Sequence, residues 1–228
     1  MKILHLYPQL MNLYGEYGNL AVLKKHLEDQ GEEVEIVRKE IADSIDFRDC
    51  DMIYMGSGTE RNLLIALEDL MKYRPYLKMT VDEGKVILLT GNAMEVMGEC
   101  IDNRPALHFC DFTVKTTDRR YTGDVIVTND EIGEVVGFIN KSTLIEGGEK
   151  EKLFTYEFCY STLKDNSYEG YRIANLFGTH IIGPVLVKNP RFMETIVRLL
   201  VKDEYRPIAY PFEEEAYQTT LSELRKRK

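Results

Sequence analysis

Between Lys2 and Thr90 strand-like and helix-like stretches alternate without interruption, and that alternation limits the chain to few architectures. KILHLY reads as a strand. After the loop PQLMNLYGEYGN, Leu20, Leu23 and Leu27 recur at helical spacing up to a stop at Gly31. EVEIVR and DMIYMG form a second and a third strand. The loop GSGTERN opens the helix LLIALEDLMKY, which breaks at Arg74-Pro75, and PYLKMTVDEG continues helically to Gly84. VILLT, apolar almost throughout, is a buried strand. Such alternation predicts a mainly parallel sheet covered on both faces. In sheets of this kind ligands collect at the carboxyl ends of the strands. That singles out the loops after Tyr7, after Met55, after Thr90 and after a later strand near Thr179.

The second half has a different texture. HFCDFTVKTTDRRYTGDVIVTND and EVVGFIN read as β segments with polar turns, and KLFTYEFCYSTLKDNSYEG as an aromatic, irregular surface excursion. YRIANLFGTHIIGPVLV returns to strand character. Asn189 then serves as N-cap and Pro190 as the first residue of a helix whose core stripe is Phe192, Ile196, Leu199 and Leu200. No linker or repeat divides the chain, so residues 1–210 are expected to form one α/β domain with extra antiparallel strands. Residues 211–228 form a C-terminal helix, acids first and bases last, packed on or extending from it.

A net charge of -9 over 228 residues argues against a nucleic-acid partner. The basic LRKRK end is a solvated helix terminus. MKILHLYPQL is too polar for a signal peptide, and no apolar run approaches the ~18 residues of a membrane helix. The four cysteines show no CxxC spacing. A cytoplasmic chain with reduced thiols, no membrane contact, no metal cluster and no cofactor is expected.

The stretch VILLTGNAMEVMG has the strand–turn–helix form on which enzymes often mount a nucleophile. Here the turn carries Gly91. The small residues Gly56, Ser57 and Gly58 could offer backbone N–H groups to a carboxylate or phosphate, or simply make a tight turn. His5 reads as a satisfied core histidine, and Cys110, beside His108, as strand packing.

Four blocks together resemble the class I glutamine amidotransferases of the CobB/CobQ type. LYPQLMNLYGEYGNLAVLKKHLE is similar to their opening, and GSGTER to their glycine-rich oxyanion-side loop followed by an acid and an arginine. RRYTGDVIV with EVVGFIN resembles their arginine-bearing hairpin and VGFENH-like strand. GTHIIGPVLVKNP resembles a GTYLHGPLLPKNP-like block. Together the blocks span most of residues 1–195. The resemblance implies a flavodoxin-like three-layer sandwich. Within the family, the GatD-like branch fits the chain best, because larger relatives carry an ATP-using amino-terminal domain with no counterpart here. Those subunits hydrolyse glutamine to supply ammonia to MurT, a Mur-ligase-type partner, for lipid II amidation in peptidoglycan and cell-wall synthesis.

The same resemblance places the family's nucleophilic cysteine at Gly91, a glutamine at Glu95 and the histidine base at Ile182. The reaction needs a thiolate to attack the carboxamide and an imidazole to move its proton. This chain offers neither, so a pseudoenzyme subunit is expected. A relocated Cys159–His180 pair remains open, because an even offset along a strand puts His180 on the same face as position 182. Cys100, at the far end of the short helix, reads as structural. Arg61, Asn92, Glu95 and Arg120 could still bind glutamine or another small carboxylate, with Glu95 paired to Arg61 or Arg120. An enzyme of altered chemistry and a small-ligand-binding module are the alternatives.

Overall fold

The computed structural model describes residues 1–159 and 168–227. Five strands supply the parallel part of the sheet: β1 (Lys2–Leu6), β2 (Glu35–Lys39), β3 (Met52–Met55), β4 (Val86–Thr90) and β11 (Leu176–Thr179). Between them run α1 (Tyr17–Asp29), α2 (Glu60–Met71) and α3 (Arg74–Asp82). A 3-10 segment, Gly91–Met97, follows β4. Short β5 (Cys100–Ile101) and β6 (Arg104–Pro105) lead into two long strands, β7 (Phe112–Asn129) and β8 (Gly133–Gly147). Then come β9 (Lys152–Cys159) and β10 (Tyr168–Ile173). The order across the sheet is β2-β1-β3-β4-β11-β10-β9-β7-β5-β6, with β8 paired to β7.

Strand periodicity builds the layers. In β4, Ile87 and Leu89 face one side and join Leu63, Ala66, Leu67 and Leu70 of α2 and Leu77 and Val81 of α3. Val86 and Leu88 face the other side. There they meet Leu20, Leu23 and Leu27 of α1, and Phe192, Ile196 and Val197 of α5 (Pro190–Val201). Successive side chains of a strand point to opposite faces, so a strand apolar at every position needs cover on both. The α/β class with a mostly parallel sheet is therefore as expected, with antiparallel strands on one flank. No helix among the described residues is long and apolar enough to cross a membrane.

Four local expectations are corrected. The segment expected to be an irregular excursion begins as β9, paired to β7 and β10; its residues 160–167 lie outside the described residues. Its aromatics alternate with polar residues: Phe154 and Tyr156 share one face, and past a register shift against β7 Phe158 packs on the other. The strand reading of YRIANLFGTHIIGPVLV holds only as far as Thr179, and Val185–Lys188 is a helical turn, α4. Asn189 does not cap α5 with its side chain. Instead its Oδ1 accepts from Val136 N at 2.7 Å while its Nδ2 donates to Val136 O and Val185 O at 2.8 and 2.7 Å. Of the expected α5 stripe, Phe192 and Ile196 are buried, but Leu199 and Leu200 are only half-buried.

The terminal helix α6 (Pro211–Arg225) packs Tyr217, Leu221 and Leu224 against Ile126 and Val136, and the Tyr217 hydroxyl donates to Glu134 O at 2.9 Å.

Asn189 replaces three main-chain partners in a dry location, and truncation leaves those groups unpaired. Asn189→Ala should lower stability by about 2–4 kcal/mol, measured as a reduced urea midpoint with the folded circular dichroism spectrum retained.

Candidate functional site

At the carboxyl ends of β1, β3, β4 and β11 the chain turns around one buried carboxyl. Glu16, fully buried, precedes α1. It accepts from the Thr90 hydroxyl, from Tyr54 OH at 3.2 Å and from Asn19 Nδ2 at 3.3 Å. Its other oxygen accepts from Gly183 N at 3.1 Å. Burial pushes this carboxyl above its ordinary range, while the Thr90, Gly183 and Tyr54 donors and the Lys188 ammonium pull the other way. Sequence reasoning passed over Glu16, although it sits inside a quoted block. An acid between Gly15 and Tyr17-Gly18 looks like part of a solvated loop.

Directly after Thr90, Gly91 sits at φ +61°, the left-handed backbone of a nucleophile elbow. The space above it is filled. A Cβ placed on Gly91 would lie 2.4 Å from both Cβ and Oγ of Ser57 and 3.0 Å from Cγ2 of Ile182. The loop that could cradle an anion is occupied as well. The Asn92 side chain accepts from Gly58 N at 2.9 Å and from Ser57 Oγ at 3.3 Å, and donates to Gly58 O at 3.0 Å. The Thr59 hydroxyl accepts Asn62 N at the start of α2. Gly56 is packed so closely that a Cβ would meet Met11 O at 2.8 Å.

Beside the elbow lies a cleft of about 130 Å3, lined by Ser57, Gly58, Asn92, Glu95, Arg120, Lys141 and Thr143 among others. Its mouth is strapped. Arg120 pairs with Glu60 at 2.8 Å and donates to Asn140 Oδ1 at 2.8 Å, and Ser142 Oγ donates to the same Glu60 oxygen at 2.8 Å. Arg61 is exposed and stays outside the lining. Glu95 pairs with neither expected arginine. It accepts from Thr143 Oγ1 at 2.5 Å and lies 3.2 Å from His180 Nε2.

His180 is thus one member of a buried charged group that the sequence did not reveal. Its Nδ1 lies 3.4 Å from Lys141 Nζ and 3.7 Å from Glu169 Oε2, and its backbone N donates to Glu169 Oε1 at 2.6 Å. Thr179 and Tyr156 hydroxyls also donate to Glu169, both at 3.0 Å. Lys141, Glu95, Glu169 and His180 are each at most 4% exposed. The shared-face argument for His180 and Ile182 does not apply, because β11 ends at Thr179. Both side chains reach the elbow from the turn that follows. Lys141 and Glu169 were missed because alternation marks which strand positions face inward but not what they meet across the sheet.

Cys100 sits in β5, not in the short helix, opposite Pro105. Burial pushes Cys110 up to about 12 and Cys50 up to about 11. Cys159 lies near enough to Lys141 for their charges to interact. His5 is buried against Tyr54 with Nε2 unpaired, not satisfied as expected, and burial near Arg38 lowers it to about 4. No sequence spacing suggested a metal cluster, yet the fold brings ligand atoms of Glu99, His108 and Asp111 within 4.8 Å of one another, all three residues exposed.

Burial opposes ionisation of Glu169, but the His180 imidazole and backbone N–H and the Lys141 ammonium outweigh it and hold the carboxyl at about 2. A carboxyl lowered on folding stabilises the protein above its unfolded value, and that contribution is lost as pH falls through the folded value. Glu169→Gln should therefore cost about 3 kcal/mol at neutral pH, and the gap to the parent should narrow as pH falls from about 4.5 towards 2. Urea titrations of both proteins across that range check this.

Comparison with known proteins agrees with this architecture. Residues 2–190 match the CobB/CobQ-like glutamine amidotransferase domain. The GatD subunit of Staphylococcus aureus lipid II isoglutaminyl synthase (glutamine-hydrolyzing) is 27% identical over 83% of this chain and 79% of its own. The corresponding Streptococcus pneumoniae subunit is 26% identical over 98% and 88%. A solved glutamine amidotransferase superposes with a TM-score of 0.59 at 16% identity, over 86% of this chain and 98% of its own. PurLQS from Thermotoga maritima does so at 0.57 and 12%, over 96% and 98%. At those identities the two solved structures show the fold alone. With the matched domain spanning most of its length, the chain belongs to the CobB/CobQ-like glutamine amidotransferase family.

Proposed function

We propose that this chain is a GatD-like subunit that has given up glutamine hydrolysis and serves as the structural partner of a MurT-like ligase in lipid II amidation. The observation that carries the reading is the packing at Gly91. Loss of a cysteine alone would leave a hole, whereas here Ser57 and Ile182 occupy the volume a nucleophile's Cβ needs. The Gly58 N–H, suited to stabilise an oxyanion, is held by Asn92. Without a thiol, a base at position 182 and a free donor, each worth orders of magnitude in rate, the family reaction has no path. The relatives' description as subunits of a synthase supports a retained partner, and the cytoplasm is where such a ligase would meet its substrates.

The decisive measurement is ammonia release from glutamine by the purified chain, alone and with its ligase partner. None above the buffer blank is expected; enzyme-dependent ammonia, lost on Cys159→Ala, would overturn the reading. The complex should amidate lipid II with ammonium chloride but not with glutamine. Re-introducing the family residues tests the packing. Gly91→Cys with Ile182→His should remain inactive and lose about 2–4 kcal/mol of stability to overpacking and backbone strain. Adding Ser57→Gly should recover the part of that loss due to the clash with Ser57.

A further inference from the structure

Lys141, His180 and Glu95 form a line in which each group can act on the next. The Lys141 ammonium, on β8, has three N–H donors. Among the described residues its hydrogen-bond contact is His180 Nδ1, at 3.4 Å. On the far side of the ring, Nε2 lies 3.2 Å from Glu95 Oε1. A nucleophile within reach of a base, itself oriented by a carboxylate, is the general arrangement of an activated nucleophile. The line also opens to a space: Lys141, Glu95 and Thr143 all border the 130 Å3 cleft beside the elbow.

We propose that Lys141 is a nucleophilic amine that captures short aldehydes in this cleft as a Schiff base. The first step is a proton transfer from Lys141 Nζ to His180 Nδ1, which frees the nitrogen lone pair. That transfer leaves the total buried charge unchanged. The positive charge moves from ammonium to imidazolium, and the imidazolium lies between Glu95 at 3.2 Å and Glu169 at 3.7 Å. Keeping the charge beside two carboxylates avoids the desolvation cost of creating a new ion in a dry site. The amine then adds to the aldehyde carbon to give a carbinolamine, whose oxygen takes the proton. Loss of water leaves the imine, and hydrolysis reverses the sequence.

Other features fit. Burial lowers Lys141 below the ordinary lysine range, against the pull of Glu169, Glu95 and Cys159. At 130 Å3 the cleft is well above the ~10–15 Å3 that holds one water, enough for a carbonyl compound of a few carbons. Glu95 is a positioning residue: it accepts the Nε2 proton and so leaves Nδ1, the nitrogen facing Lys141, as the acceptor. Thr143, donating to the same Glu95 oxygen at 2.5 Å, fixes that carboxylate in turn. This chemistry shares the cleft of the proposed non-hydrolytic subunit, but the two readings fail separately. Ammonia release reports on one and imine trapping on the other.

The test is reductive trapping of the intact protein with propanal and sodium cyanoborohydride near about pH 6.5, where a surface lysine of pKa ~10.4 is almost wholly protonated. Peptide mapping should show propylation of Lys141 at least tenfold faster than the average of the other lysines. In Lys141→Arg that adduct should vanish from the intact mass while the circular dichroism melt stays cooperative. His180→Gln should slow labelling of Lys141 at least tenfold and move its pH dependence upwards, an effect a packing role would not give. Glu95→Gln should do the same to a smaller degree. Lys141 left unlabelled in the parent protein, or labelled no faster than surface lysines, overturns the proposal without recourse to any variant. Labelling unchanged in a folded His180→Gln protein overturns the role of the imidazole.

Discussion

A single buried carboxyl organises the end of the sheet where ligands would bind. Glu16 ties the loop before α1 to Tyr54 on β3, to Thr90 on β4 and to Gly183 in the turn after β11. Four separate stretches of chain thus converge on one residue, and Asn19 extends the link to Leu186 N at 2.8 Å. Burying a carboxyl costs several kcal/mol unless hydrogen bonds compensate, and here hydroxyl, amide and backbone donors all point at it. The elbow stands directly on this support. Its shape is therefore maintained by groups below the turn, independently of what the turn carries above.

That separation lets the geometry persist under the proposed loss of glutamine hydrolysis. Thr90, bonded to Glu16, anchors the residue before the left-handed Gly91, while Ser57 and Ile182 close the space over it. Asn92 fastens the neighbouring glycine loop, and Glu60 with Arg120 joins α2 to β7 across the cleft mouth. Each contact fixes part of the elbow's surroundings by packing or hydrogen bonding. Polar side chains nonetheless cluster in the region. They gather a few ångströms away as Glu95, His180, Lys141 and Glu169, where mutual pairing offsets their burial.

Much of the fold could be read in the chain because apolar runs in parallel strands leave little choice. Val86 to Leu89 must be covered on both faces, and the flanking Leu20, Leu23, Leu27 and Leu63, Leu67, Leu70 sets supply that cover. The antiparallel flank was harder. Polar and aromatic residues of β9 alternate on a half-covered surface, which looks irregular without its neighbours β7 and β10. Asn189 resembled a helix cap because its local sequence, Asn-Pro, is a helix start; its side chain is instead drawn to Val136, distant in sequence. Local rules fail where a long-range partner offers stronger bonds.

The sequence by itself determined the strand–helix alternation, the position of the elbow and the absence of a thiol and an imidazole at positions 91 and 182, since each depends only on residue identity and local spacing. Tertiary structure alone decided that the elbow's volume is filled by Ser57, that Glu95 meets His180 and not an arginine, and that Lys141 and Glu169 lie beside them. Those outcomes rest on sheet register and on contacts between residues tens of positions apart, which side-chain periodicity along one strand cannot encode.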